Sequence, residues 1–216
     1  MYRGRLLFPA KSLYSVCGMA KSLNKSRMYV SRIAMVLVVL LVLFTRQTFK
    51  DGSPVHETLD LIGILLVALC AMGRIYSTAF LGGHKNQKLI DYGPFSVVRN
   101  PLYMFSLLGI TGIALMSNQI FVIFGLPLAF LLLYEGLISR EEKFLKETFG
   151  EEYEAYCKRV PQLIPRFSVY QAPDTIVASP KLLWQAFRDA TVWFIPIEVF
   201  ELIEFAQQTG WLPHLF

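Results

Sequence analysis

The chain has 216 residues, of which 54% are hydrophobic and 14% aromatic, with a formal charge of +5. So apolar a composition excludes an ordinary soluble domain of this size and points to one integral membrane domain, with no nucleic-acid partner expected. Cys17, Cys70 and Cys157 are far apart and show no metal-ligand spacing, so neither a disulfide framework nor a metal site is expected.

The positive charge gathers at the N-terminus. Residues 1–50 contain no Asp or Glu, and Arg3, Arg5, Lys11, Lys21, Lys25, Arg27 and Arg32 precede the first apolar run. The positive-inside rule then places this end in the cytoplasm. An acid-free leader with Arg and Ser also fits a transit peptide, which leaves an organellar membrane open. Residues 1–28 lack a sustained apolar run and are expected to be a basic segment attracted to anionic headgroups. Tyr29 to Phe44 reads as a first span, followed by a loop to about Thr58 with the turn formers Asp51, Gly52, Ser53 and Pro54.

Leu59 to Phe80 is the second candidate span. Arg74 near its end either snorkels to the interface or faces a site. The polar loop 82–88 then returns to the cytoplasmic side. Leu102 to Met116 is only 15 residues, roughly 22 Å of helix against a hydrocarbon core of about 30 Å. Pro101 suits its first turn. Ser117, Asn118 and Gln119 join it to a return span, Gln119 to Ile138, which contains Pro127, an expected kink, and Glu135 near its inner end.

A hairpin of these last two helices would bring two polar stretches to one side of the bilayer. They are Tyr92 to Tyr103, YGPFSVVRNPLY, and Ser139 to Pro165, SREEKFLKETFGEEYEAYCKRVPQLIP. The second stretch reads as a new, soluble amphipathic helix starting after Ser139, interrupted at Gly150 and stopped by Pro161 and Pro165. Residues 168–180 form a linker. From Lys181 to Gln208 the pattern predicts one helix bent at Pro196. Its acidic stripe of Glu198, Glu201 and Glu204 puts residues 181–216 on the membrane surface or against the bundle. The expected architecture is therefore all-α and polytopic. About four transmembrane helices, the last two a hairpin, belong to a membrane domain over 29–167, with cytoplasmic and interfacial helices added.

Glu141 and Glu142 could pair with an ammonium or sulfonium group, while N–H groups near Leu102 and Tyr103, at a helix N-terminus, suit an anion. A zwitterionic amino acid fits both ends. The same glutamates could equally be the solvated first turn of a cytosolic helix, and Arg99 a headgroup anchor.

In combination, GPFSVVRNPLY, the hydrophobic hairpin, and the elements E-E-x-x-L, F-G-x-x-Y-x-x-Y and R-V-P resemble the isoprenylcysteine carboxyl methyltransferase and phospholipid methyltransferase superfamily of membrane enzymes. The match covers about residues 83–167. The resemblance implies methyl transfer from S-adenosylmethionine at the cytoplasmic membrane surface to a lipophilic small-molecule, prenylated or lipid acceptor. Carried over, Gln87, Lys88, Leu89, Ile90, Phe95, Asn100, Pro101, Leu102, Tyr103, Glu141 and Glu142 would bind the cofactor, and Arg99, Asn100 and Tyr103 would be catalytic. Arg74, Glu135 and Arg140 are candidate substrate contacts.

Three departures from the family pattern bear on chemistry. Phe95 replaces a frequent Tyr and keeps only its stacking role. Asn100 replaces the usual His, so that position cannot titrate near neutral pH. Leu137 stands where prenylcysteine enzymes carry an Arg that contacts the substrate carboxylate. Glu135, two residues earlier, would suit a cationic headgroup, or it pairs with Arg74. Carboxylate O-methylation and headgroup N-methylation both remain open, as do a non-catalytic scaffold of this fold and a reductase related to the sterol reductases. The sequence fixes no oligomeric state.

Overall fold

In the computed structural model, residues 33, 36, 48, 49, 52–82 and 88–209 are described. The basic segment 1–28, the first span apart from Ile33 and Val36, the loop residues 83–87 with Gln87, and the tail 210–216 lie outside them. The chain divides into two compact units, Met1–Val38 and Val39–Phe216. All elements named below belong to the second, and among the described residues there is no β-strand.

Helix α1, Pro54–Leu81, has 28 residues, about 42 Å. It begins five residues before the expected Leu59, because Ser53 caps it. The Ser53 hydroxyl accepts from the His56 N–H at 3.3 Å, and Pro54 fills the first turn, where no N–H is needed. Gly82, at φ +51°, closes its C-terminus.

A four-residue helix α2, Pro94–Val97, precedes α3, Pro101–Met116. α3 starts on Pro101 as the sequence indicated. Asn118 makes the turn that follows, at φ +51°, a conformation Asn tolerates. Its side-chain amide donates to Asp60 of α1 at 2.9 Å, and its carbonyl accepts from the Thr48 N–H at 2.9 Å.

Helix α4, Ile120–Phe149, corrects the sequence reading. It runs unbroken for 30 residues, about 45 Å. No new helix begins after Ser139, so Glu141 and Glu142 are interior residues and not a first turn. α3 and α4 fold back on one another and α3 packs along α1. The α1–α3 contact is close at Gly63 and Gly112: a Cβ on Gly112 would lie 2.6 Å from the Gly63 carbonyl oxygen.

Gly150, at φ +54°, turns the chain into α5, Glu151–Arg159. The single C-terminal helix expected over 181–208 is in fact two, α6 (Pro180–Thr191) and α7 (Ile195–Gln208), joined by a 3-10 turn at Val192–Phe194. Pro196 lies in the first turn of α7, where it is tolerated, and so does not bend a continuous helix. α6 packs on α1, and α7 touches α3. α1 and α4 are long and apolar enough to cross a membrane, and α3 is a shorter apolar helix. Leu61, Leu65, Leu69 and Met72 on α1, and Phe121, Phe124, Leu128 and Leu132 on α4, are exposed, so both long helices carry apolar surface of the kind that associates with membrane.

Candidate active site

Two short helices separated by an extended Val98 create the site's first wall. Because the residue before proline is driven out of the helical region, Asn100 sits at φ −120°, ψ 60° and breaks α2 from α3. Val98 and Pro101, fully buried, fix that break. Arg99 and Asn100 are thereby presented sideways to α4.

Arg99 grips Glu142 with two nitrogens, Nε to Oε1 at 3.0 Å and Nη2 to Oε2 at 3.4 Å. Its Nη1 donates to the Cys157 and Val160 carbonyls, both at 3.2 Å, at the end of α5. The Asn100 amide also donates to Glu142 Oε1 at 3.0 Å and to the Gln162 carbonyl at 3.2 Å. Glu142 is thus fully engaged by protein. Its neighbour is not. The Tyr103 hydroxyl donates to Glu141 Oε2 at 3.0 Å, and among the described residues no bond to the other oxygen of Glu141 is formed.

The Tyr103 N–H already donates to the Asn100 carbonyl at 3.1 Å. Of the two N–H groups expected to face an anion, that leaves Leu102's. Below Glu141, Tyr103 packs edge-on against Tyr134, which stacks on Phe130.

The second wall is α5. Leu89, expected to line a cofactor, is instead buried in a cluster with Tyr153, Tyr156 and Val160, so its side chain holds α5 in place. Ile90 is buried as well. Lys88 is exposed, its ammonium 5.8 Å from the Tyr92 ring. Phe95 is half-buried, and its carbonyl accepts the Tyr156 hydroxyl at 2.7 Å. Burial pushes the Tyr156 phenol above its ordinary range. Burial, then the Glu142 charge, does the same to Tyr153.

A strap after α5 runs along α2 and is bonded to it. The Arg99 N–H donates to the Pro161 carbonyl at 2.8 Å and the Arg166 N–H to Val97's at 2.9 Å. Gln171 then takes the Gly93 N–H on its carbonyl at 2.6 Å and donates its own N–H to the Ser96 hydroxyl at 2.9 Å. Two prolines in Val160–Pro165 mark an extended segment, but no local signal names its partner.

Arg74 faces protein and not lipid. Its Nη1 donates to the Ser106 hydroxyl at 2.6 Å and lies 3.4 Å from the Leu102 carbonyl; the guanidinium also sits 5.6 Å over the Trp193 ring. Glu135 and Arg140 are exposed on α4, and the structure brings neither to the Tyr103–Glu141 contact.

A family model described as phospholipid methyltransferase matches residues 61–152. The chain is 34% identical over 177 residues to the cobalt-zinc-cadmium resistance protein CzcN of Cupriavidus metallidurans, covering 82% of this chain and 81% of that protein. It is 31% identical over 192 residues to the nickel-cobalt-cadmium resistance protein NccN of Alcaligenes xylosoxydans xylosoxydans, covering 88% and 89%.

Proposed function

The chain belongs to the phospholipid methyltransferase family, and from that premise we propose that it transfers the methyl group of S-adenosylmethionine to a lipid or isoprenoid-linked acceptor in the membrane. The observation that carries the reading is the unequal treatment of two adjacent carboxylates. Glu142 is neutralised by Arg99 and hydrogen-bonded by Asn100, whereas Glu141 is oriented by Tyr103 with one oxygen left for a ligand. A fixed carboxylate beside a phenol suits an ammonium group, and the Leu102 N–H at the start of α3 suits the carboxylate of the same amino acid.

Roles follow from these contacts. Glu141 and Tyr103 touch the cofactor; Arg99 and Asn100 act through Glu142 and are positioning residues. When bound, the cofactor supplies an activated methyl group, so the chain has no strong nucleophile to generate. What the residues contribute is orientation and exclusion of water, through the bonded strap 161–171 and the buried Tyr153–Tyr156 wall. Asn100 cannot accept a proton at neutral pH, which suits an acceptor already deprotonated, such as a carboxylate. An amine acceptor must lose its proton to another group.

In this reading the span expected from the sequence over 29–44 crosses the bilayer along with α1, α3 and α4, and the site faces the cytoplasm, in a bacterial or an organellar membrane. The domain bounds remain 29–167, a linker at 168–180 and the C-terminal helices. Among the described residues no three His, Cys, Asp or Glu side chains cluster to hold a metal ion.

The test is incubation of purified protein in nanodiscs with radiolabelled S-adenosylmethionine and total membrane lipid. A labelled lipid made by the wild type and not by Glu141→Gln is expected. Undiminished cofactor binding in Glu141→Gln, or no binding by the wild type, would overturn the assignment, the second outcome favouring a non-catalytic scaffold.

A further inference from the structure

We propose that α6 lies in the bilayer interface, with its Trp184–Phe187 flank among the acyl chains and Lys181 and Arg188 on lipid phosphates. The helix has three sectors and not two. At 100° per residue, Leu182, Leu183, Ala186 and Ala190 share one face, which is the half-buried to buried side and belongs to the packing on α1. Lys181, Gln185, Arg188 and Asp189 occupy another sector and are exposed.

Between them Trp184 and Phe187 are 67% and 52% exposed, their rings stacked at 5.9 Å. A helix with one face on protein, one polar sector and an aromatic flank suits a boundary where apolar matter meets water.

Three observations select lipid over a protein partner. The helix it packs on, α1, itself exposes Leu61, Leu65, Leu69 and Met72 and is long and apolar enough to cross a membrane. Lys181 and Arg188 border Trp184 on its polar side, where phosphates would sit. The chain leading into α6 also exposes Phe167 and Val177, at 75% and 73%. The inference rests on the reading that α1 crosses the bilayer, and the two fail separately: release of the protein from membranes by alkaline carbonate would remove that reading.

The test uses the full chain with Cys17→Ser and Cys157→Ser, spin-labelled singly at Trp184→Cys, Phe187→Cys, Gln185→Cys or Asp189→Cys, in nanodiscs of phosphatidylglycerol or phosphatidylcholine. Collision with oxygen, enriched in lipid, is compared with collision with a water-soluble nickel chelate. Labels at 184 and 187 should favour oxygen and labels at 185 and 189 nickel, inverting the sign of the ratio within one turn. Preference for nickel at 184 would overturn the proposal, and so would shielding from both reagents, which would mean cover by a protein or a second copy. Adding Lys181→Glu and Arg188→Glu should lower the oxygen preference at 184 in phosphatidylglycerol; an unchanged ratio would overturn the phosphate contacts.

Discussion

Replacing Arg99 by Ala is the sharpest test of how the site is held together. The Arg99 and Glu142 side chains are 15% and 19% exposed, nearer the buried than the surface case. Removing one partner of a buried pair costs about 3–5 kcal/mol. Partial solvation and the surviving Asn100 bond reduce this to about 2–4 kcal/mol, and losing the bonds to the Cys157 and Val160 carbonyls adds roughly 1 kcal/mol. At about 2–4 °C per kcal/mol for a domain of this size, Tm should fall by about 6–20 °C. Thermal unfolding in detergent, followed with a thiol-reactive dye that reports the buried Cys70, measures it. Arg99→Met combined with Glu142→Leu should recover more than half of the loss, because no charge is left unpaired. A shift below about 2 °C for Arg99→Ala would refute the idea that this residue ties α4 and α5 to the motif.

Glu141→Gln should weaken S-adenosylmethionine binding by about 10–150-fold, the loss of one charged hydrogen bond, while leaving Tm unchanged. Glu142→Gln should lower both affinity and Tm, and calorimetric titration beside thermal scans separates the two. Gly112→Leu should destabilise by about 1–3 kcal/mol or more, since the atom it meets is backbone. Gly125→Ala, with nothing within 4 Å, should be neutral in the same scan. The Tyr156 phenol, raised by burial, favours its neutral form when folded. Its contribution should be intact below the unfolded tyrosine value of about 10 and fade as pH rises through the folded one. Tm should therefore decline in alkali, and Tyr156→Phe should be less stable at pH 7 and flatter above it. Lys146 holds the Glu154 carboxyl below its usual range, but both groups are so exposed that Glu154→Gln should leave Tm unchanged.

The start of α3, its hairpin with α4 and the meeting of Tyr103 with Glu141 were legible in the sequence, because Pro101 marks a helix start and Asn118 and Gly150 mark turns through their own backbone preferences. The continuity of α4 was hidden by composition. Polarity changes at Ser139, yet no Gly or Pro stands between Gly136 and Gly150, and the helical hydrogen bonds simply continue. A catalytic Arg99 is what the family resemblance implies, and the residue type alone suggests a headgroup anchor. Its bonds to the Cys157 and Val160 carbonyls depend on where α5 ends in space, about 60 residues away. Gln171 was invisible for a related reason: it bonds through its main chain, which leaves no mark in residue identity.

One unbroken rod carries both the exposed Phe124 and the Tyr103-bound Glu141. Pivoted at the Asn118 turn, a tilt of about 5° would swing Glu141, some 32 Å along the rod, by roughly 3 Å. Bilayers of different thickness impose such tilts. If the chain turns over as proposed, it should accordingly work as a gauge, its rate varying with acyl-chain length even where the acceptor is held constant.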